Sequence, residues 1–290
     1  MLARIRARPP FRPLAGAAIA VGAGYFAFAY LAAPSFWRHY EHRPAVATKA
    51  MLTSTASGLP GDAINVGIEG DETTLICAMM SAGWDPAEAT TFRSAAKIVG
   101  SVVFGRPYLH APVSDLFYDG RRQDLAFQKA DGRSAKTRHH ARFWKTVDAD
   151  SDGAALWLGS ASYDRSVGIS RYTGQITHHI APDIDAERDL LIADLASAGR
   201  VDEFYEVSGI GPTLNARNGG GDRYFTDGEV VVSRLEPGCE KTKLNHAAKT
   251  TTQSWSVALK SAFFRGVSPM MNWLHSLDST PSAEENGRAE

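Results

Sequence analysis

Residues 175–199 read QITHHIAPDIDAERDLLIADLASAG, and the order of residue types predicts a strand running directly into a helix. Gln175 to Ile180 has the short, β-branched character of a strand. Asp183, just after Pro182, can accept a hydrogen bond from the first turn of a helix. Ile184, Leu191 and Leu195 then share one helical face, and Gly199 ends it. The same order occurs earlier in the chain. Ile64-Asn65-Val66-Gly67-Ile68 alternates like a strand, Asp71 can cap, Leu75, Met79 and Ala82 share a face, and Gly83 stops the helix. Both helices close on Ser-Ala-Gly, at 81–83 and 197–199, which hints at a duplicated half.

Between these units the pattern changes to strands. Asp119-Gly120 and Asp227-Gly228 each lie between apolar or aromatic runs, as tight hairpin turns with positive φ require. Arg138 to Val147 and Ala154 to Asp164 read as another strand pair, joined by the acidic turn Asp148 to Gly153. That turn matches the opening half of a calcium loop. Its twelfth position is Gly159, so the bidentate carboxylate is missing and an ordinary acidic turn is the better reading. Helices flanking a mostly antiparallel sheet define an α+β fold. From Thr252 to Leu277 apolar residues recur at helical spacing, with Pro269 expected to kink or break the run. That helix either packs on the domain or lies along a membrane surface, with Lys260 and Arg265 at its polar edge.

The whole chain has 290 residues, net charge −1 and 44% hydrophobic residues, which places it among globular proteins. Lysine and arginine (31) are cancelled by aspartate and glutamate (32), so a basic nucleic-acid surface is not indicated. Two cysteines, Cys77 and Cys239, can form at most one disulfide; Cys77, on the apolar side of its helix, reads as inert packing. Ahead of the folded part, 25 consecutive uncharged residues separate Arg12 from Arg38. Leu14 to Ala33 is long enough to cross a bilayer core, making one N-terminal transmembrane helix. Arg4, Arg6, Arg8 and Arg12 precede it, so the N-terminus is expected in the cytoplasm and the bulk of the chain outside. A cleaved signal peptide is the competing reading, against which the apolar stretch is long and Pro34 follows Ala32-Ala33. The resulting organisation is a basic flank (1–12), a transmembrane anchor (13–37), a linker (38–61), an α+β domain (62–235), a C-terminal helical segment (236–277) and a disordered tail (278–290).

Four of the nine histidines form two neighbouring pairs, His139-His140 and His178-His179, each on an expected strand. Alternation gives each pair one side chain per face: His140 goes with Arg142 and Trp144, His178 with Ile176 and Ile180. One histidine of each pair could converge with Asp183 or Asp164 on a divalent metal or an acid/base centre. The plainer reading is hydrogen bonding within a sheet. Arg121-Arg122-Gln123-Asp124 follows the first Asp-Gly turn. Arg217-Asn218-Gly219-Gly220-Gly221-Asp222-Arg223 offers a glycine loop whose N–H groups, flanked by arginines, suit a phosphate or carboxylate. A structural loop is the simpler alternative. Neither a Walker loop nor a dinucleotide fingerprint is present.

The blocks Gly105 to Tyr108, Ala111 to Ser114, Gly120 to Phe127, His139 to Trp144, Thr173 to Ile180 with Asp183 to Asp189, and Arg217 to Tyr224 together resemble the LssY C-terminal domain. The resemblance covers about residues 62–235. It implies a bacterial inner-membrane setting, alone behind an anchor or beside polytopic DedA-like or phosphatidic acid phosphatase-like membrane proteins, which become the expected partners. It carries no established catalytic residue. The lipid phosphatase pattern itself is not met: eight residues intervene between Lys97 and Arg106-Pro107, Pro-Ser-Gly-His is absent, and six intervene between Ser170-Arg171 and His178.

The first expectation is therefore a membrane-anchored accessory or regulatory domain of envelope lipid or lipid-phosphate machinery, binding an anionic ligand or a partner protein. Arg121, Arg122, Arg142, Arg217, Asp222 and Arg223 are its candidate ligand contacts. The alternative is a hydrolase of phosphoester-type substrates, metal- or histidine-dependent. Its catalytic candidates are His140, His179 and Asp124, and its metal candidates His140, His179 and Asp183. A sugar- or peptide-binding module would need Trp144 and Trp157 exposed.

Overall fold

The computed structural model describes residues 11–32, 51–87, 114–132, 136–149, 155–239, 249–250 and 255–277. It is a mixed α+β fold with antiparallel-rich sheets and, among the described residues, four α-helices. The two strand-to-helix units form as expected. β3 (Val66–Glu69) leads into α2 (Glu72–Ser81), where Asp71 accepts from the Thr74 N–H at 2.8 Å and Gly83 turns the chain at φ +82°. β10 (Ile176–Ile180) leads into α3 (Ile184–Ser197), where Asp183 accepts from the Ala186 N–H and Gly199 sits at φ +67°.

The main sheet is built on two long strands, β8 (Arg138–Ala149) and β9 (Ala155–Ile169), paired antiparallel. The turn between them falls largely within 150–154, outside the described residues, and the calcium-loop reading of Asp148 to Gly153 falls there with it. On one side of this pair lie β7 (Leu125–Ala130) and β4 (Asp85–Pro86). On the other lie β3, β14 (Glu229–Leu235), β11 (Val201–Ser208) and β15 (Lys249–Thr250), while β10 also pairs with β9. Two pairings are parallel, β14 with β3 and β11 with β15. A smaller sheet runs β2 (Pro60–Ala63), β1 (Leu52–Thr55), β5 (Leu116–Tyr118), β6 (Arg121–Arg122). β12 (Thr213–Arg217) and β13 (Arg223–Thr226) make a separate ribbon.

Strand alternation decides what each face of β8 and β9 buries. His139, Ala141 and Phe143 face α2 and α3, and the core there joins Phe143, Phe127 and Trp157 to Leu75 and Met79 of α2 and Leu191 and Leu195 of α3. Arg138, His140, Arg142 and Trp144 face the other way. Trp144 packs with Ile64, Leu116, Val230 and Val232, while Arg138, His140 and Arg142 form the floor of a cavity.

Several expectations need correcting. Residues 38–61 are not all linker, because β1 and the first residues of β2 lie within them; β1 is held between β2 and β5, and Thr53 is buried. Asp119-Gly120 does form a hairpin turn, at φ +49° and +72°. Asp227-Gly228 does not, because β13 pairs with β12 and not with β14. At that corner Asp227 instead accepts from the Glu229 N–H and from Arg188, sending the chain from the ribbon to the main sheet. Pro269 does not break α4 (Trp255–Ser276), which runs through it. Cys77 is not inert packing: it forms a disulfide with Cys239, tying α2 to the segment after β14.

At the N-terminus, α1 (Phe11–Ala27) continues into a π-helix at Phe28–Ala32. Among the described residues no helix is long and apolar enough to cross a membrane, so the expected span of Leu14 to Ala33 has no support as a single transmembrane helix. The α-helical part is only 17 residues, and 33–50 lie outside the described residues. This N-terminal segment nevertheless touches the domain: Tyr25 donates to the Gly174 carbonyl at 2.6 Å, and Gln175 donates to the Ala29 carbonyl at 2.8 Å.

The disulfide closes a sequence separation of 162 residues, so it removes much of the unfolded chain's freedom. Cys77→Ser or Cys239→Ser should lower unfolding stability by ~2–5 kcal/mol, seen as a drop in melting temperature of roughly 5–15 °C. Reducing agent should bring the wild type down to the melting temperature of the variants.

Candidate functional site

The cavity has a volume of about 360 Å³ and lies where the charged face of β8 and β9 meets the small sheet and the 170s and 218–220 loops. Register builds its floor. Arg138, His140 and Arg142 are opposite Asp164, Ser162 and Ser160, so all six residues share one face.

Buried charges must be paired, and here each one is. Arg138 Nε donates to Asp164 Oδ2 at 3.0 Å, and His140 Nε2 meets Asp164 Oδ1 at 2.8 Å. Arg142 Nη1 lies 3.0 Å from His140 Nδ1 and 3.2 Å from Asp62 Oδ2, and its Nε donates to the Ser114 carbonyl at 2.9 Å. Ser162 donates to the same Asp62 oxygen. A guanidinium can only donate, so His140 Nδ1 accepts from Arg142 and its ring proton sits on Nε2, donated to Asp164. Burial alone would raise the Asp164 pKa. The neighbouring His140, His178 and Arg138 outweigh it, and the carboxyl is held well below the usual carboxylate range. For Arg142, burial pulls the pKa down and outweighs the opposing pull of Asp62 and Asp164.

One histidine of each pair therefore does converge on Asp164, but the second is His178, with Nδ1 3.9 Å from Oδ2. His179 faces the other side of β10. It lies across Gly168, where even a Cβ would approach its Nε2 to 2.5 Å, and its Nδ1 meets Asp222 at 2.7 Å.

The remaining candidates are dispersed. Asp124 pairs with Arg121 at 2.9 Å on the exposed hairpin, and Arg122 reaches Asp115 at 3.4 Å. Arg217 donates to the Gly221 carbonyl, and Arg223 is opposite it on the ribbon. The glycine loop is closed on itself: Asn218 accepts from the N–H groups of Gly220, Gly221 and Asp222, so those donors do not await an anion. Asp183 caps α3 and bonds Ser268, and neither His140 nor His179 is among its partners in the described residues. Among the described residues no group of three His, Cys, Asp or Glu is arranged to hold a metal ion. Trp144 and Trp157 are each 1% exposed, so neither offers a platform for a sugar or peptide.

Sequence reading missed Asp62 and Arg138. No local signal marks Asp62, whose partner Arg142 is 80 positions away. Arg138 could have been found, since it shares the alternation of His140 and Arg142.

A second charged cluster lies under α4, beside a cavity of about 180 Å³. Arg188 reaches Asp185 at 3.2 Å, Asp227 at 2.8 Å and Asp189 at 2.9 Å. Burial pushes the Asp185 pKa up to about 6; Arg188 opposes this and Asp227 adds to it.

A family model described as the LssY C-terminus matches residues 43–230. No curated protein and no solved structure matches the chain.

Two stability tests follow from the pairings. Asp164→Asn should cost ~3–5 kcal/mol in denaturant unfolding, because it leaves Arg138 buried without its counter-charge. The raised pKa of Asp185 contributes stability that is fully present below its ordinary value and is lost as pH rises through about 6. Between pH 4 and pH 7 the wild type should therefore lose on the order of 3 kcal/mol more than Asp185→Asn does. Equal pH slopes would contradict this.

Proposed function

This chain belongs to the LssY C-terminus family, and from that premise we propose that it is a membrane-anchored accessory domain whose cavity binds a small anionic group, such as a phosphate ester. The observation that carries this reading is the balance of hydrogen-bond donors in the cavity wall. Each lining carboxylate already has donors: Asp62 has Arg142 and Ser162, Asp115 has Arg122 and Gln123, and Asp164 has Arg138 and His140. The hydroxyls of Thr55, Ser170 and Thr173 accept from backbone N–H groups, which leaves their hydrogens to donate. Arg142 Nη2 has no partner among the described residues. These spare donors suit an acceptor-rich ligand, seated away from the second Asp62 oxygen, which takes no donor among the described residues.

Membrane attachment is the finer part of the proposal. The N-terminal segment is apolar and its exposed side chains include Ile19, Val21, Phe26 and Phe28, which favours a lipid surrounding. Its end is bonded to Gly174 and Gln175, and Thr173, Gln175 and Thr177 line the cavity, so the site sits close to the anchor. The Cys77–Cys239 bridge favours an oxidising, extracytoplasmic side of a bacterial inner membrane, with the N-terminus in the cytoplasm. A polytopic DedA-like or phosphatidic acid phosphatase-like membrane protein is the proposed partner.

A hydrolase is the second reading, favoured by His178 standing near the Asp164 carboxylate at the cavity. In it His178, not His140, would move protons, because both ring nitrogens of His140 are engaged.

Full-length protein in detergent should show saturable binding of inorganic phosphate or glycerol phosphate by calorimetry, weakened about tenfold or more in Arg142→Gln and in Thr173→Val. Absence of binding, or binding that ignores both substitutions, would overturn the accessory-domain reading. Turnover of p-nitrophenyl phosphate that is lost in His178→Gln would instead establish the hydrolase.

A further inference from the structure

α4 is turned the opposite way from an ordinary surface helix. Its polar residues point into the protein: Lys260 pairs with Glu229, Ser261 donates to Asp227 at 2.9 Å, and Ser268 bonds Asp183. Phe264 and Met271 fill the inner face around Phe225, with His275 edge-on to the same ring. The outward face carries Trp255, Leu259, Phe263, Met270, Trp273 and Leu277, of which Trp255 is 80% and Trp273 60% exposed. Left in water, this stripe would be a large apolar patch over a 22-residue helix, about 33 Å long.

We infer that the outward face of α4 lies in the interfacial layer of an anionic lipid bilayer, as a second membrane contact beyond the N-terminal segment. Charge complementarity selects lipid over a second copy of the chain. Lys260 is turned inward to Glu229, which leaves Arg265 as the exposed charge of the helix, and there is no aspartate or glutamate anywhere in Trp255–Ser276. Two copies face to face would leave Arg265 without an acidic residue on either helix to pair it, whereas anionic headgroups supply that partner. Trp255 and Trp273, near the two ends of the stripe, are the amphipathic rings favoured at the water boundary. The N-terminal segment and α4 also grip one short stretch of chain, the first at Gly174 and Gln175 and the second at Asp183, either side of β10. The inference rests on the anchored reading for bringing the domain to the bilayer, and it accounts for a face that the anchor alone leaves uncovered.

The test uses the full chain carrying Phe263→Cys, labelled with an environment-sensitive fluorophore. The native cysteines are closed in their disulfide, so the label goes to the new thiol alone. In vesicles of phosphatidylglycerol and phosphatidylcholine, the label should shift to the blue, be quenched by brominated acyl chains and lose its quenching by aqueous iodide. The shift should shrink in pure phosphatidylcholine and in Arg265→Gln. A chain that floats with the vesicles while its label stays open to iodide overturns the inference and leaves the anchored reading standing. A label shielded equally without vesicles, with energy transfer between chains, overturns it in favour of self-association. If Phe263→Glu/Trp273→Glu abolishes flotation, the α4 contact is upheld but as the attachment that holds the chain and not as a second one, and the anchored reading fails, since a chain held by its N-terminal helix would still float.

Discussion

The buried carboxylate of Asp164 is the constraint around which the charged side of this domain is organised. β8 puts Arg138, His140 and Arg142 on one face, and a face carrying that many donors cannot be buried without acceptors. Asp164, opposite Arg138, meets two of them, and Asp62 meets the third from β2. The small sheet is thus held to the main one partly by charge, with the Ile64, Leu116 and Trp144 cluster beside it supplying apolar contact. Polar cavity and apolar core are two consequences of one strand pair, because alternation sends Ala141 and Phe143 to the helices and their neighbours to the site.

That arrangement makes the cavity a rigid feature. Its floor is a strand ladder and its charged groups are cross-bonded, so His140 is fixed in orientation and tautomer by Arg142 and Asp164. The rim differs in kind. The loop through Ser170 and Thr173 is short, rich in side chain to backbone bonds, and bonded to the N-terminal segment through Gly174 and Gln175. A ligand entering here would meet a preformed floor and a rim whose position depends on the N-terminal segment. On the far side of the sheet, His139 and Glu187 join β8 to α3 at 2.9 Å, so the adjacent histidines serve unrelated purposes.

The described residues present two exposed apolar surfaces, along the N-terminal segment and along α4, while the buried charged groups gather at the cavity and at the second cluster. In a globular protein the hydrophobic effect would turn such surfaces inward. α4 does the reverse because its inner face is matched to fixed acidic residues: Asp183 caps α3, Asp227 holds Arg188, and Glu229 receives Lys260.

What was legible from sequence was local in its physics. Asp71 and Asp183 as caps, Gly83 and Gly199 as helix stops, the Asp119-Gly120 turn and the alternation of His140 with Arg142 each depend on residues within a few positions. They follow from backbone geometry and side-chain reach alone. The α+β class and the long strand pair followed from those elements. The choice of His178 over His179 did not, because it depends on how β10 lies against β9, where the pairing register shifts between His179 and Ile180. Nor did the pairing of Asp62 with Arg142, the bridge between Cys77 and Cys239, or the refusal of Asp227-Gly228 to form a hairpin. Each joins residues distant in the chain or depends on which strand is the neighbour. Sequence by itself determined the elements and the faces they offer; which faces meet was decided only by the tertiary structure, since buried charges accept partners by distance in space and not by distance along the chain.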